Sequence, residues 1–359
     1  MKNRYKSIVI KVGTSVITDE KGNLDLNSIQ NLVAQISEVK KQGTDVILVS
    51  SGAMGCGRAM LKNAKEDTSS QRQLLAGVGQ AYLMQTYSDF FGKHGFLCAQ
   101  VLALKDNFYT REQYRNMRAC FEEALKEKIV PVVNENDVIS AKNLMFSDND
   151  ELAGLIASML NSDALLMLTN VDGVYDKNPD DEGAQMLTKV EPGTFNMQEC
   201  ILSEVSKNGK GGMCSKCEIA QKISSMGIPV HISNGRTDGV ISSIVSGEDI
   251  GTMFIPEKRA SVGKRWVGMC EGQEKGSIFL NKCAVEVMHD KAKATSLLPV
   301  GVVGVLGDFS KGDIVKICTE NGTGIGTGMA ECTDEEVRST MGKKGEKPVV
   351  HYDYLFLYT

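Results

Sequence analysis

Ile8-Val9-Ile10-Lys11-Val12-Gly13-Thr14-Ser15 begins as a short, β-branched apolar run and breaks into a glycine followed by two hydroxyl residues. A run of this kind reads as a strand buried on both faces, as in parallel sheets. The small residues after it read as a loop at the strand's carboxyl end. Val46–Val49, Leu97–Leu104, Ile129–Val133, Leu165–Leu168 and Ile228–Ile232 repeat the pattern. Helical-period segments lie between them. From Leu26 to Gly43, Ile29, Leu32, Val33, Ile36 and Val39 fall on one helical face, with Asn27 as the expected N-cap and Gly43 beyond the end. Strand and helix in alternation predict an α/β fold, an open and mostly parallel sheet with helices on both faces.

After Ile255 the rhythm changes. Gly276–Leu280, Gly301–Val305 and Gly312–Ile317 are short apolar runs separated by turns and predict a small β-rich module. The expected organisation is a first domain over residues 1–258, a linker over 259–274 and a second domain over 275–359.

Composition narrows the function classes. With 42% hydrophobic and 24% charged residues the 359-residue chain reads as an ordinary globular protein. The basic N-terminus is followed only by Ile8-Val9-Ile10 before Lys11 interrupts, which is no signal peptide, and no apolar run is long enough to cross a bilayer. The net charge of −5 argues against wholesale nucleic-acid binding. Ten cysteines with a single C-x-x-C are expected to be reduced thiols of a cytoplasmic protein.

The residues that follow the strands carry the chemistry. Lys11 leads into Gly13-Thr14-Ser15, which reads either as a phosphate-holding loop or as an exposed lysine before a turn. Ser50-Ser51-Gly52-Ala53-Met54-Gly55-Cys56-Gly57 runs G-x-x-G-x-G, not the dinucleotide order, so a Rossmann dehydrogenase is disfavoured. Asn134-Glu135-Asn136-Asp137 and Ser147-Asp148-Asn149-Asp150 gather carboxylates and amides, the second group opening a helix expected over Glu151–Leu160. One of these residues is an N-cap, but caps do not need so many acceptors.

Lys210-Gly211-Gly212-Met213-Cys214-Ser215-Lys216 places glycines between lysines where a loop becomes a helix, a setting suited to phosphate. Its spacing is not that of the P-loop, and a solvated turn is the rival reading. Cys214 and Cys217 lack the second pair that a zinc site of about four ligands needs, so two thiols on one helical turn is the favoured reading.

Taken jointly, acidic groups suit an ammonium, hydroxyls and amides suit a carboxylate, and lysines with glycine loops suit a polyphosphate. That combination describes phosphoryl transfer from a nucleotide to an amino acid. A carboxylate acceptor is already an ionised nucleophile, so alignment and charge neutralisation suffice and no general base is required. The absence of a conspicuous role for His94, His231, His289 and His351 agrees with this.

Those loops, in that order, resemble the bacterial glutamate 5-kinase family of the amino acid kinase superfamily, followed by a PUA domain. Besides the loops above, the resemblance rests on Val78-Gly79-Gln80 and Leu168-Thr169-Asn170-Val171-Asp172-Gly173-Val174-Tyr175. In the second domain it rests on Lys275–Ile278, Ser296–Gly301 and Gly307–Asp313. It spans nearly the whole chain and weakens around Val287–Asp290 and beyond Ile317.

The resemblance implies ATP-dependent phosphorylation of L-glutamate to L-glutamyl 5-phosphate, with Mg2+ held mainly through the nucleotide phosphates and no protein metal site. It implies a catalytic set of Lys11, Lys216 and Asp150, the last holding the two lysines. Ser51, Asp137 and Asn149 match glutamate-binding positions. Lys11, Thr169, Asn170, Lys210, Gly211, Gly212, Met213, Cys214, Ser215 and Lys216 match ATP-binding segments. Two residues depart from the family pattern: Asn170 stands where an aspartate is usual and Lys210 where a small hydroxyl residue is usual, both making the nucleotide side more positive.

Proline as feedback inhibitor, a homo-oligomer and a glutamate-5-semialdehyde dehydrogenase partner are further implications. Other enzymes of the superfamily, acting on aspartate, a nucleoside monophosphate or N-acetylglutamate, are the alternatives, and Asp137 discriminates because a free ammonium wants a carboxylate. PUA domains often bind RNA, so an RNA-binding protein is the rival class. The acidic balance and the lack of interleaved basic and aromatic residues weigh against it.

Overall fold

The computed structural model describes residues 3–61, 68–139, 146, 148–178, 181–194, 212–289 and 295–358. The chain divides into two compact units, Met1–Arg259 and Ala260–Thr359.

In the first unit the strands are β1 (Ser7–Val12), β2 (Asp45–Ser50), β3 (Cys98–Ala103), β4 (Val130–Glu135), β5 (Ala164–Thr169), β6 (Val174–Tyr175), β7 (Met186–Leu187), β8 (Lys189–Val190), β9 (Val230–Asn234) and β10 (Thr252–Phe254). β6 and β7 pair by themselves, and the other eight form one sheet in the order β3-β4-β2-β1-β5-β9-β10-β8. Every described pairing in it is parallel except β9 with β10.

β1 lies between β2 and β5, and its two side-chain faces are used differently. Ile8, Ile10 and Val12 share a core with the helices Leu26–Lys41, Ala53–Met60, Ser69–Lys93 and Val240–Ser246. Lys11 points to the opposite face by the strand's two-residue period, toward the helices Asn149–Leu160 and Met213–Ser225. The expected mostly parallel sheet with helices on both faces is therefore present.

Three local readings differ from the structure. The first long helix is capped by Asp25, whose carboxylate accepts from the N–H groups of Asn27 and Ser28, so Asn27 is already inside the helix. The run around Leu97–Leu104 forms an edge strand. Gln100 and Leu102 are exposed on β3 and Leu97 lies outside it, because among the described residues β3 has a sheet partner on one side only. The later helix begins at Asn149, two residues before the expected start, with Asp148 as its N-cap.

The second unit is a five-stranded sheet in the order β12-β11-β13-β14-β15, formed by β11 (Gly276–Leu280), β12 (Val302–Gly307), β13 (Ile314–Thr319), β14 (Gly324–Ala330) and β15 (Val350–Leu357). Only β11 and β13 run parallel. Ile278, Leu280, Val315, Ile317 and Val350 form its core with Val337 of a helix whose Thr333 and Glu336 close a capping box. Arg338 from that helix donates to the carbonyls of Val305 and Gly307 on edge strand β12, blunting an edge that would otherwise offer free acceptors. Val262–Met269, inside the stretch expected as a linker, forms a helix against β14 and β15.

Candidate functional site

The carboxyl ends of β1, β2, β4, β5 and β9 face one end of the first unit, where open α/β sheets bind ligands. Lys11 leaves β1 there, 5% exposed. Asp150 stands fully buried in the first turn of the helix Asn149–Leu160, and Lys216 sits in the first turn of Met213–Ser225, 8% exposed. Lys11 Nζ is 2.7 Å from Asp150 Oδ1, and Lys216 Nζ donates to Oδ2 at 3.0 Å.

Burial by itself would push the Asp150 carboxyl up. The charges and hydrogen bonds of Lys11 and Lys216 outweigh it and hold the group below the usual carboxylate range. Its ion pairs therefore contribute stability above the unfolded carboxylate pKa, and that stability is lost as pH falls through the depressed folded value. Two cations on one anion leave a net positive charge in a poorly solvated place, which is a site for an anion.

Asp148 ties the two helices together. Its Oδ1 accepts from the backbone N–H groups of Asp150 and Glu151, and its Oδ2 accepts from the hydroxyl of Ser215 at 2.5 Å. One carboxylate thus caps the helix bearing Asp150 and grips the first turn of the helix bearing Lys216. Cys214 and Cys217 are buried on that same helix.

Beside the lysines lies a cavity of about 260 Å3 lined by Ser51, Arg58, Asn134, Asp137 and Asn149, among others. Gly52 makes the turn from β2 into the helix Ala53–Met60 at φ 103°, a conformation costly to any residue with a Cβ. The turn leaves Ser51 at the cavity wall. Asn149 Nδ2 donates to Ser51 Oγ and to Asn134 Oδ1, each at 2.9 Å. Burial pushes the Asp137 carboxyl above its ordinary range.

Thr169 ends β5, next to β1, with its hydroxyl 3.4 Å from Asn170 Oδ1; Asn170 itself is exposed. Gly212 is the N-cap of the helix Met213–Ser225 and makes no side-chain cap hydrogen bond to it. Lys210 and Gly211 lie outside the described residues.

Lys11, Ser51, Asp137, Asn149, Asp150, Ser215 and Lys216 are thus brought to one end of the sheet. Sequence reasoning missed Arg58, Gln80, Asn134 and Asp148 as individual contributors. Arg58 had a local signal, being the one charged residue that closes a small-residue loop; Gln80 meets Asn134 across 54 positions of sequence, and Asp148, whose capping is local, reaches Ser215 across 67. His231 is set apart from this chemistry: it pairs with the Tyr5 hydroxyl at 2.9 Å, and burial lowers its pKa to about 4.

Residues 6–234 match the model of the amino acid kinase family. The chain belongs to that family. Residues 276–352 of this amino acid kinase match the PUA domain model and fall within the second unit. The kinase is similar to a glutamate 5-kinase of Chlorobaculum tepidum, 48% identical over 98% of each chain. It is also similar to a glutamate 5-kinase of Bacteroides thetaiotaomicron, 42% identical over 99% of this chain and all of the relative. No helix among the described residues of the kinase is long and apolar enough to cross a membrane.

Proposed function

We propose that this amino acid kinase transfers the terminal phosphoryl group of ATP to the side-chain carboxylate of L-glutamate, giving L-glutamyl 5-phosphate, the first step of proline biosynthesis. Its similarity over nearly full length to proteins named glutamate 5-kinase supports the reading. The observation that carries it in the structure is the Lys11–Asp150–Lys216 cluster beside a cavity holding Asp137.

In this reading the glutamate ammonium lies against Asp137 and Asn149, and its α-carboxylate takes the Ser51 hydroxyl. The side-chain carboxylate attacks the terminal phosphorus in line, needing no base. Lys11 and Lys216 meet the negative charge on the transferring group from two sides. Asp150 touches neither reactant. It is a positioning residue that keeps both ammonium groups in place and partly offsets their repulsion.

Thr169, Asn170 and the segment Lys210 to Lys216 serve the nucleotide. Among the described residues no cluster of three or more His, Cys, Asp or Glu side chains is placed to hold a metal, and Asp150 is committed to its lysines. In this reading Mg2+ rides on the nucleotide phosphates, where it spreads their charge.

The test is a panel of acceptors. With Mg-ATP, the purified chain is expected to release ADP with L-glutamate and not with L-aspartate, N-acetyl-L-glutamate or UMP; a preference for any of the latter three replaces the reading. Asp137→Asn is expected to raise KM for glutamate by about 10- to 100-fold, the worth of a charge-assisted hydrogen bond, with KM for ATP unmoved. Because burial raises the Asp137 pKa, glutamate affinity should also fall on acidification at a pH where ordinary carboxylates remain ionised. Equal KM values for glutamate in the variant and the parent would remove Asp137 from the site.

Proline shares the carboxylate and α-nitrogen of glutamate, so it is expected to compete at this cavity. A glutamate dependence of the rate that proline does not alter counts against that. A cytoplasmic homo-oligomer that passes its labile product to a glutamate-5-semialdehyde dehydrogenase completes the proposal.

A further inference from the structure

We propose that Gln80 is a positioning residue that sets the hydrogen-bond polarity of the acceptor cavity, and with it the preference for a substrate bearing an ammonium beside a carboxylate. The inference rests on the glutamate reading above and assigns a task to the Gln80 side chain, which that reading leaves without one.

The argument starts from a backbone N–H, whose identity as a donor is not in question. Glu135 N donates to Asn134 Oδ1 at 2.9 Å, which establishes which end of the Asn134 amide is oxygen. The Asn134 NH2 group then faces Gln80, whose Oε1 accepts it at 2.9 Å. Asn134 Oδ1 also receives Asn149, so the Asn149 nitrogen must lie on that side. It donates as well to Ser51 Oγ.

Two consequences reach the cavity. Ser51 Oγ is used as an acceptor, which leaves its own hydrogen to donate to a carboxylate. The Asn149 NH2 group is consumed, so Asn149 retains Oδ1, a buried acceptor with no hydrogen-bond partner among the described residues. A buried acceptor of this kind calls for a donor, and an ammonium supplies one. Were both amides turned over, Ser51 would face a carbonyl and Asn149 would offer hydrogens, suiting the opposite arrangement of charges.

Gln80 holds the far end of this relay from the helix Ser69–Lys93, 8% exposed. Without its Oε1, Asn134 is held on one side only. Rotating to find another partner for its NH2 group would draw Oδ1 away from Asn149.

The test compares kcat/KM for L-glutamate and for glutarate, the same dicarboxylate without the amine. In Gln80→Met, which keeps the side-chain length and removes the acceptor, the glutamate-to-glutarate ratio is expected to fall about 10-fold, one hydrogen bond's worth of discrimination. In Gln80→Glu, which keeps an acceptor toward Asn134, the ratio is expected to hold within about 3-fold. A merely structural role would lower both rates together and leave the ratio where it was; that result in a folded Gln80→Met variant overturns the proposal.

Should Gln80→Met fail to fold, Gln80→Ser, whose smaller side chain admits water, takes its place, with the same fall expected and the same unmoved ratio overturning the assignment. A parent chain inactive toward glutamate overturns the functional reading and this inference together. A parent active on glutamate with an unmoved ratio in the variant overturns the role of Gln80 alone.

Discussion

Lys216→Met is expected to lower kcat by about 1,000-fold while the chain remains folded, the upper range for removing one donor aimed at developing charge. The substitution keeps an unbranched stem of similar length and deletes the cation. The buried group then changes from two cations on one anion to the single pair Lys11–Asp150, neutral overall. Stability should therefore move little, within about 1 kcal/mol, because no uncompensated charge is left behind.

Asp150→Ala is the counterpart with the opposite division of effects. It strands two lysines beside each other in a poorly solvated place and is expected to cost about 3–5 kcal/mol of folding free energy as well as activity. Steady-state ADP release and urea unfolding read the two quantities separately. A Lys216→Met enzyme that keeps kcat within a few-fold of the parent would remove Lys216 from the transferring phosphoryl group.

Gly79→Ala is expected to be the most damaging small substitution in the first unit. A Cβ on Gly79 would lie 1.8 Å from the carbonyl oxygen of Ala53 and 2.4 Å from the backbone nitrogen of Gly57, so two helix backbones would have to separate. The reciprocal position is as tight, since a Cβ on Gly57 would lie 1.9 Å from the carbonyl oxygen of Leu75. Overpacking of side chains costs about 1–3 kcal/mol, and a clash with rigid backbone on both sides belongs at or above the top of that range.

The displaced helices carry Gln80 and Arg58, so a variant that survives should also show a raised KM for glutamate. Gly92→Ala on the same helix, where an added Cβ meets nothing within 4 Å, is the control and should be neutral or stabilise by about 0.5–1 kcal/mol. Thermal unfolding of the two variants side by side decides the point. Equal melting temperatures would mean that the two helices have room to give.

Much of this architecture was legible because the physics behind it is local. Runs such as Val46–Val49 and Leu165–Leu168 are apolar without alternation because both faces of a central parallel strand are covered. Their carboxyl ends could be located because small and polar residues interrupt the run abruptly. The same rule misread β3: its apolar composition is that of a buried strand, yet among the described residues it has a neighbour on one side only, and strand order is a property of the whole sheet.

Asp25 and Asn27 are both competent caps two residues apart, and only the backbone turn selects Asp25. The stretch Lys264-Arg265-Trp266 is basic in sequence, yet the helix that contains it buries Arg265 and Trp266.

The site divides along the same line. Lys11 stands at the carboxyl end of β1, and Ser51, Asp137, Asn149, Asp150 and Lys216 stand in loops that follow strands or at the start of the next helix, where a strand-end rule can find them. Gln80 and the Asp148–Ser215 link could not be found that way. Gln80 sits mid-helix and meets Asn134 across 54 positions of sequence, and Ser215 meets Asp148 across 67. Val78-Gly79-Gln80 was visible as a motif, but its two tasks, close helix approach at Gly79 and amide orientation at Gln80, exist only once the fold brings Ala53 and Asn134 to it.

Trapping the product is the most direct measurement. When the purified chain turns over L-glutamate and Mg-ATP in excess hydroxylamine, an acyl phosphate on the side-chain carboxylate is captured as the γ-hydroxamate. One hydroxamate formed for each ADP released is the expected result. ADP released without hydroxamate would contradict phosphoryl transfer to the glutamate carboxylate.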